Sequence, residues 1–510
     1  MKMKRAVMRT DRYFEIGKVD NRLFGSFLEH MGRAVYEGIY QPESDFADEN
    51  GIRTDTSALI REMGVSTVRY PGGNFVSAYN WEDGVGPREK RPVRLEAAWQ
   101  NLEDNSFGTN EFAEWSVKNG IIPMMAVNLG TRGVDAAKNL LEYCNFPGGT
   151  YYSDLRIKHG FARPHNIKLW CLGNEMDGPW QIGHRDADDY ASLAAQTAKV
   201  MKDIDPEIEL VACGSAGSGM ATFGKWDATV AMRCMKYIDY VSMHAYFDNR
   251  NRTPEDTSDY LAHALAFEEQ IKSVIACCDY ASAVNKTKKR INLSIDEWNA
   301  VYRPHGKLPA DVRWTKAPHQ IEDVYNLEDA LLVGSLFMTM FNHADRVKIS
   351  CLAQLVNVIA PIMTSDKGAW RQTIFYPFMY CSRYGKGTAL QSCVECEKYD
   401  SKHYSDVPYI FSSVIFDDDN GRLAVFIMNR DLEEDCILES DLRQFENYAV
   451  ERHIAVGGDD IKAVNSEQIT DAVRGKDRPA GSTLDESILR SVIEKHSFNV
   501  ILLKRQNKTI

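Results

Sequence analysis

Eight short apolar segments, each separated from the next by longer stretches with helical periodicity, occupy the first three quarters of this chain, and few folds accept such a pattern. They are residues 23–29, 65–70, 121–128, 167–173, 208–213, 238–246, 291–296 and 346–354. Between two of them, residues 257–278 place Ala264, Phe267, Ile271, Val274, Ile275 and Cys278 at helical spacing behind a Thr-Ser cap. Eight strands alternating with helices predict an α/β fold, a (β/α)8 TIM barrel with long loops.

The texture changes near Gly387. Residues 409–416 and 422–428 are rich in β-formers and flank Asp419-Asn420-Gly421, a hairpin signal. Residues 448–456 and 498–503 supply further strands. We expect a C-terminal antiparallel β-sandwich, jelly-roll-like, into which the N-terminal segments 6–8 and 13–16 pair. The expected division is a catalytic barrel over 18–387 and a sandwich built from 1–17 and 388–510.

Charge and cysteine usage narrow the function. Sixty Lys and Arg stand against 72 Asp and Glu, a net charge of −12 that disfavours nucleic acid and anionic membranes as partners but leaves neutral substrates open. No stretch approaches the roughly 18 apolar residues of a membrane span, and the basic start has no apolar segment behind it, as a secretory signal requires. The expected compartment is cytoplasmic. Eleven scattered cysteines argue against a disulfide framework, and the single Cys393-x-x-Cys396 reads as reduced core thiols. The histidines show no HExxH or other ligand spacing, so neither a metal nor any other cofactor is implied.

The chemistry lies where the strands end. A buried strand closing in a carboxylate delivers that group to the rim of a parallel barrel, where such folds carry their active sites. Strand four ends in Asn174-Glu175 and strand seven in Asp296-Glu297. The other ends offer Glu29 and His30, Arg69 followed by Pro-Gly-Gly-Asn74, Asn128, His244 and Tyr246, and Gln354 and Asn357. An Asn-Glu pair alone is more often a helix cap or a surface salt-bridge partner. Two carboxylates on opposite strands of one rim, amid so many hydrogen-bonding groups, point to hydrolysis of a hydroxyl-rich glycoside.

Several long motifs carry a family resemblance: GSFLEHMGRAVYEGIY (25–40), RYPGGNFVSAYNWEDGVGP (69–87), MMAVNLGTRG (124–133), WCLGNEMDGPWQIGH (170–184), DEWN (296–299) and CLAQLVNVIAPI (351–362). The chain resembles glycoside hydrolase family 51, the α-L-arabinofuranosidases. The resemblance implies a retaining double displacement on terminal, non-reducing α-L-arabinofuranosyl units, with Glu297 as nucleophile and Glu175 as acid/base. Arg69 and Tyr246 would hold the nucleophile ionised and aimed. Glu29, Asn74, Asn174 and Gln354 match positions that hold the furanose hydroxyls, and His244 belongs to the same rim. The substrates implied are arabino-oligosaccharides, and a homo-oligomer, commonly a hexamer, is the family's habit.

Trp81, Trp99, Trp180 and Trp298 could all be core residues; positions in rim loops make Trp99 and Trp180 sugar-stacking candidates. One departure bears on the leaving-group side, where Val301 stands at a position many relatives fill with Trp. Two other readings stay open: a related β-1,4-glucan or xyloglucan hydrolase, which an open aromatic-lined cleft would favour, and a sugar-binding barrel without chemistry.

Overall fold

The computed structural model describes residues 3–248, 254–301 and 308–506. Eight parallel strands close a barrel in chain order: β1 (Gly25–Phe27), β2 (Thr67–Tyr70), β3 (Ile122–Val127), β4 (Leu169–Leu172), β5 (Glu209–Ala212), β6 (Tyr240–Phe247), β7 (Asn292–Ala300) and β8 (Val347–Ala353), with β8 pairing back onto β1. Each coincides with one of the eight expected segments. Strands such as Leu-Trp-Cys-Leu in β4 are buried throughout because side chains fill the barrel on one face and helices cover the other.

Two strands outrun their sequence signal. β6 continues to Phe247 and β7 to Ala300, since their pairing persists through Asn299↔Tyr246 and Ala300↔Phe247. Glu297 therefore sits inside a strand, not at its end. The expected helix over 257–278 is two helices, Pro254–Leu261 and His263–Val284. Thr257 lies within the first of them and not ahead of it; its hydroxyl donates to Glu328 Oε2 at 2.8 Å. The periodic apolar residues still face inward, with Ala264, Phe267, Ile271, Val274 and Cys278 buried and Ile275 packed half-buried against them.

Among the described residues, ten of the remaining strands form one sheet, and the other six make three separate two-stranded pairs. Strand Ile410–Asp417 and strand Arg422–Asn429 make the expected hairpin, closing at Asp417↔Arg422. The two N-terminal segments are one continuous strand, Lys4–Lys18, antiparallel to Thr388–Glu395 but parallel to Cys436–Asp441, so the sheet is not purely antiparallel. The direction of this strand is dictated by where it must go: it leaves at Lys18 toward β1, whatever its neighbours' polarity. The sheet curls over on itself, bringing His453 Nδ1 within 2.9 Å of Ser482 Oγ from near its opposite edge. The fold encloses a second core of Met8, Leu390, Val414, Val425, Leu438, Leu489 and Ile501.

Helix Leu327–Phe341, between β7 and β8, is buried along its whole length because it is wrapped on both sides. Phe337 meets the barrel's Trp298 edge-on at 5.0 Å, and Phe341 meets Phe426 of the curled sheet at 5.3 Å. The eleven cysteines carry no disulfide. Ten fit the reading of packed or partly packed thiols, but Cys393 is exposed, since it points outward from strand Thr388–Glu395. Truncating the shared aromatic, Phe341→Ala, should cost about 3–5 kcal/mol. Urea unfolding should show a lowered midpoint for the barrel and the sheet together.

Candidate active site

At the C-terminal rim the strand ends converge on a cleft of about 540 Å³, lined by Phe27, Glu29, Asn74, Trp99, Glu175, Trp180, Tyr246, Glu297 and Gln354 among others. Its centre is a fan of bonds around one buried guanidinium. Arg69, 1% exposed on β2, donates through Nη1 to Glu297 Oε1 at 2.7 Å and through Nη2 to Asn174 Oδ1 at 2.7 Å. Its Nε lies 3.6 Å from Asp296 Oδ2, and its face rests 4.8 Å over the ring of Phe27. Tyr246 donates its hydroxyl to the other oxygen of the same carboxyl group, Glu297 Oε2, at 2.8 Å.

Adjacent residues Asp296 and Glu297 both turn inward, which an unbroken strand forbids. The pairing of β7 slips by one residue here against both neighbours, from Ser294↔Ser242 to Glu297↔His244 on one side and from Ile295↔Ser350 to Trp298↔Leu352 on the other. This bulge re-aims one carboxylate beside the next. On β6 no such device is needed, because His244 and Tyr246 are two residues apart and share a face.

Glu175 leaves β4 with a left-handed backbone, φ +43°, a conformation concentrated at functional sites. Its Oε1 is 2.9 Å from His244 Nδ1, and its Oε2 accepts the indole N–H of Trp180 at 2.7 Å. One oxygen each of Glu175 and Glu297, with a nitrogen of His244, lie within 4.8 Å of one another. Glu29 is fixed from three sides, accepting from Phe75 N at 2.9 Å, Trp99 Nε1 at 3.0 Å and Gln354 Nε2 at 3.4 Å. Gly73 permits this approach, since a Cβ there would stand 2.9 Å from Glu29 Oε1. Asn174 Nδ2 donates to Asn74 Oδ1 at 3.3 Å, leaving the half-buried Asn74 at the cleft wall.

The other rim groups go elsewhere. His30 bonds Glu103 Oε2 and the Tyr70 hydroxyl, both at 2.8 Å, in the packing behind the cleft. Asn128 ties down its own loop through Gly130 N and Thr131 N, and Asn357 holds Arg33 O and Thr364. Trp81 and Trp298 are core residues, whereas Trp99 is half-buried at the cleft and Trp180 is 53% exposed at its mouth. Val301 is buried and donates to Phe247 O at 2.8 Å, and the next residues lie outside those described. His244 does not face the cleft; it lies beneath it, between Glu175 and Asp296 Oδ1 at 3.1 Å. Sequence reading missed Asp296 as a working part, although its place beside Glu297 was a signal. It had no signal for Phe27, or for Glu96, whose carboxylate accepts Ala98 N and Trp99 N at 2.7 Å each and so sets the turn carrying Trp99.

Comparison with known proteins decides the family. Residues 59–264 match the model for the alpha-L-arabinofuranosidase 1 domain and 296–497 that for the alpha-L-arabinofuranosidase C-terminal domain. An intracellular exo-alpha-(1->5)-L-arabinofuranosidase 1 of Bacillus subtilis is 52% identical across 99% of this chain and 100% of its own. A family 51 α-L-arabinofuranosidase structure from Bifidobacterium longum superposes with a TM-score of 0.94 at 40% identity, covering 98% and 100% of the two chains. An arabinose complex from Thermotoga maritima gives 0.87 at 29% identity, covering 98% and 100%. This chain is a member of the family 51 α-L-arabinofuranosidases.

Electrostatics distinguish the carboxylates of this arabinofuranosidase. Burial opposes charge on His244, but Glu297, Asp296 and Glu175 around it outweigh that and hold the imidazole protonated well above its usual range. Burial, followed by the repulsion of Glu297, pushes Glu29 up to about 8 despite its N–H donors. Burial likewise lifts Glu96 to about 7.

For Glu29 the sign of the linkage follows from the folded-state value lying above the ordinary 4.5. Folding takes up a proton between those limits, so this group makes stability fall as pH rises from 4.5 to about 8 and adds no slope outside that window. The slope reaches about 1.4 kcal/mol per pH unit. Glu29→Gln should remove it, read as a flatter pH dependence of unfolding free energy than in the wild type.

Proposed function

We propose that this chain is an exo-acting, retaining α-L-arabinofuranosidase that removes terminal, non-reducing α-L-arabinofuranosyl residues from arabino-oligosaccharides. The observation that carries the mechanism is the approach of Glu175 and Glu297 oxygens to within 4.8 Å. That approach favours direct attack, for which carboxyl groups stand about 5–5.5 Å apart, over inversion, for which they stand about 6.5–9.5 Å apart. Glu297, held by Arg69 and Tyr246, attacks the anomeric carbon. Glu175 protonates the departing oxygen, and an arabinosyl-enzyme forms. Glu175 then takes a proton from water, which displaces Glu297 and releases arabinose with its configuration retained.

Asn74, Asn174, Glu29 and Gln354 face the furanose hydroxyls in this reading, with Asn174 at the 2-OH. A largely neutral Glu29 can donate to a sugar oxygen as well as accept, which an ionised carboxylate cannot. Trp99 and Trp180 supply apolar faces for sugar rings. We assign a (1→5) preference, supported by the Bacillus subtilis relative's name and its 52% identity. The same name supports a cytoplasmic site; no helix among the described residues is long and apolar enough to cross a membrane. Assembly as a homo-oligomer, a hexamer by family resemblance, completes the proposal.

Initial rates on 4-nitrophenyl α-L-arabinofuranoside, β-D-glucoside and β-D-xyloside test the reading. Fast cleavage of the arabinofuranoside alone is expected, falling by roughly 10⁴-fold or more in Glu297→Ala. Negligible arabinofuranoside cleavage by folded protein, or an unaffected variant, would send the assignment to glucan substrates or to a binding role. Proton NMR of the first product should show the α anomer.

A further inference from the structure

Both oxygens of Glu175 are already engaged, and the two partners differ in kind. Oε1 is held by His244, which is buried beneath the cleft and anchored from behind by Asp296. Oε2 is held by the indole N–H of Trp180, a residue 53% exposed at the mouth of the same cleft. The oxygen facing the open side is thus Oε2, and the group covering it is the one partner there with room to move.

The local chain fixes this arrangement. From Glu175 the backbone doubles back through two bonds, Gly178 N to Glu175 O at 2.8 Å and Gln181 N to Gly178 O at 2.9 Å, returning the indole over the carboxylate five residues upstream. Gly178 lies flat against the ring. A Cβ there would stand 2.7 Å from Cε2 and 3.0 Å from Nε1, closer than the indole could tolerate without shifting.

We propose that Trp180 is a positioning residue for the acid/base, coupling the leaving group to proton donation. This rests on the arabinofuranosidase reading above. In the unliganded site the N–H aims Oε2 at the cleft. As the leaving-group sugar settles on the indole, its glycosidic oxygen meets Oε2 on the side the N–H leaves open, and the N–H stays to stabilise the carboxylate that forms there. The bond from the anomeric carbon to that oxygen then breaks, its electron pair staying on the oxygen, which takes the proton from Oε2 while Glu297 bonds to the carbon. Trp180 therefore does more than offer an apolar face: it sets which Glu175 oxygen meets the departing atom.

Two substrates separate aiming from stacking. Arabinobiose needs a proton on its leaving alkoxide, whereas 4-nitrophenolate departs without one, yet both aglycones can lie on an aromatic ring. Measured as kcat/KM, which reports the first chemical step, Trp180→Phe keeps a ring and loses the N–H. The ratio of kcat/KM for (1→5)-arabinobiose to that for 4-nitrophenyl α-L-arabinofuranoside should fall on the order of tenfold, the worth of one hydrogen bond to a charged group. Gly178→Ala, which shifts the ring while leaving its chemistry intact, should lower the ratio in the same direction. A ratio unchanged in both variants, whether the separate values drop together or not at all, overturns the proposal and leaves plain stacking. Wild type that cleaves neither arabinoside overturns the functional reading itself, so the two failures are told apart.

Discussion

A single buried cation organises the site. Arg69 reaches Glu297, Asn174 and Asp296 from strand β2, so two strands besides its own, β4 and β7, have their functional ends fixed by one rigid fork. Stripped of water at 1% exposure, the guanidinium would be prohibitively costly without its anions, and Asp296 and Glu297 would be equally costly without it. This interdependence explains why Asp296 is present. With His244 protonated, two cations flank Glu297, and Asp296, in contact with both, is their second acidic partner.

That charge pattern depends on a backbone irregularity. A regular β7 would send Asp296 and Glu297 to opposite faces, one into the barrel and the other into the helical layer. The one-residue slip between Ser294 and Glu297 puts both in the interior. Similar economy governs Glu175, whose left-handed backbone and tight turn to Gln181 carry Trp180 back over it. The elements that support these turns are rigid. β7 is followed by the wholly buried helix Leu327–Phe341, clamped between Trp298 and the curled sheet, so the sheet braces the barrel through this helix.

The cleft separates its carboxylates by environment. Glu297 has two donors; Glu175 has a buried partner and an exposed one; Glu29, enclosed and repelled by Glu297, holds a proton up to about pH 8. Three identical side chains thus take three roles in the proposed reaction. The difference lies in what surrounds each within a few ångströms.

The sequence by itself determined the eight barrel strands, because buried parallel strands are short apolar runs that stand out between amphipathic helices, and it placed Glu29, Arg69, Asn174, Glu175, Tyr246 and Gln354 on one rim. The hairpin at 410–429 was legible for a similar reason, its turn residues being diagnostic. Tertiary structure alone decided the rest. Periodicity carries no record of a bulge, so the inward turn of Asp296 could not be read, nor could the strand's continuation past Glu297. Rim residues look alike in sequence, yet His30, Asn128 and Asn357 serve packing and loops, while His244 drops below the cleft to join Glu175 and Asp296. The polarity of strand Lys4–Lys18 was likewise set by its exit toward the barrel, a long-range constraint that no local pattern contains.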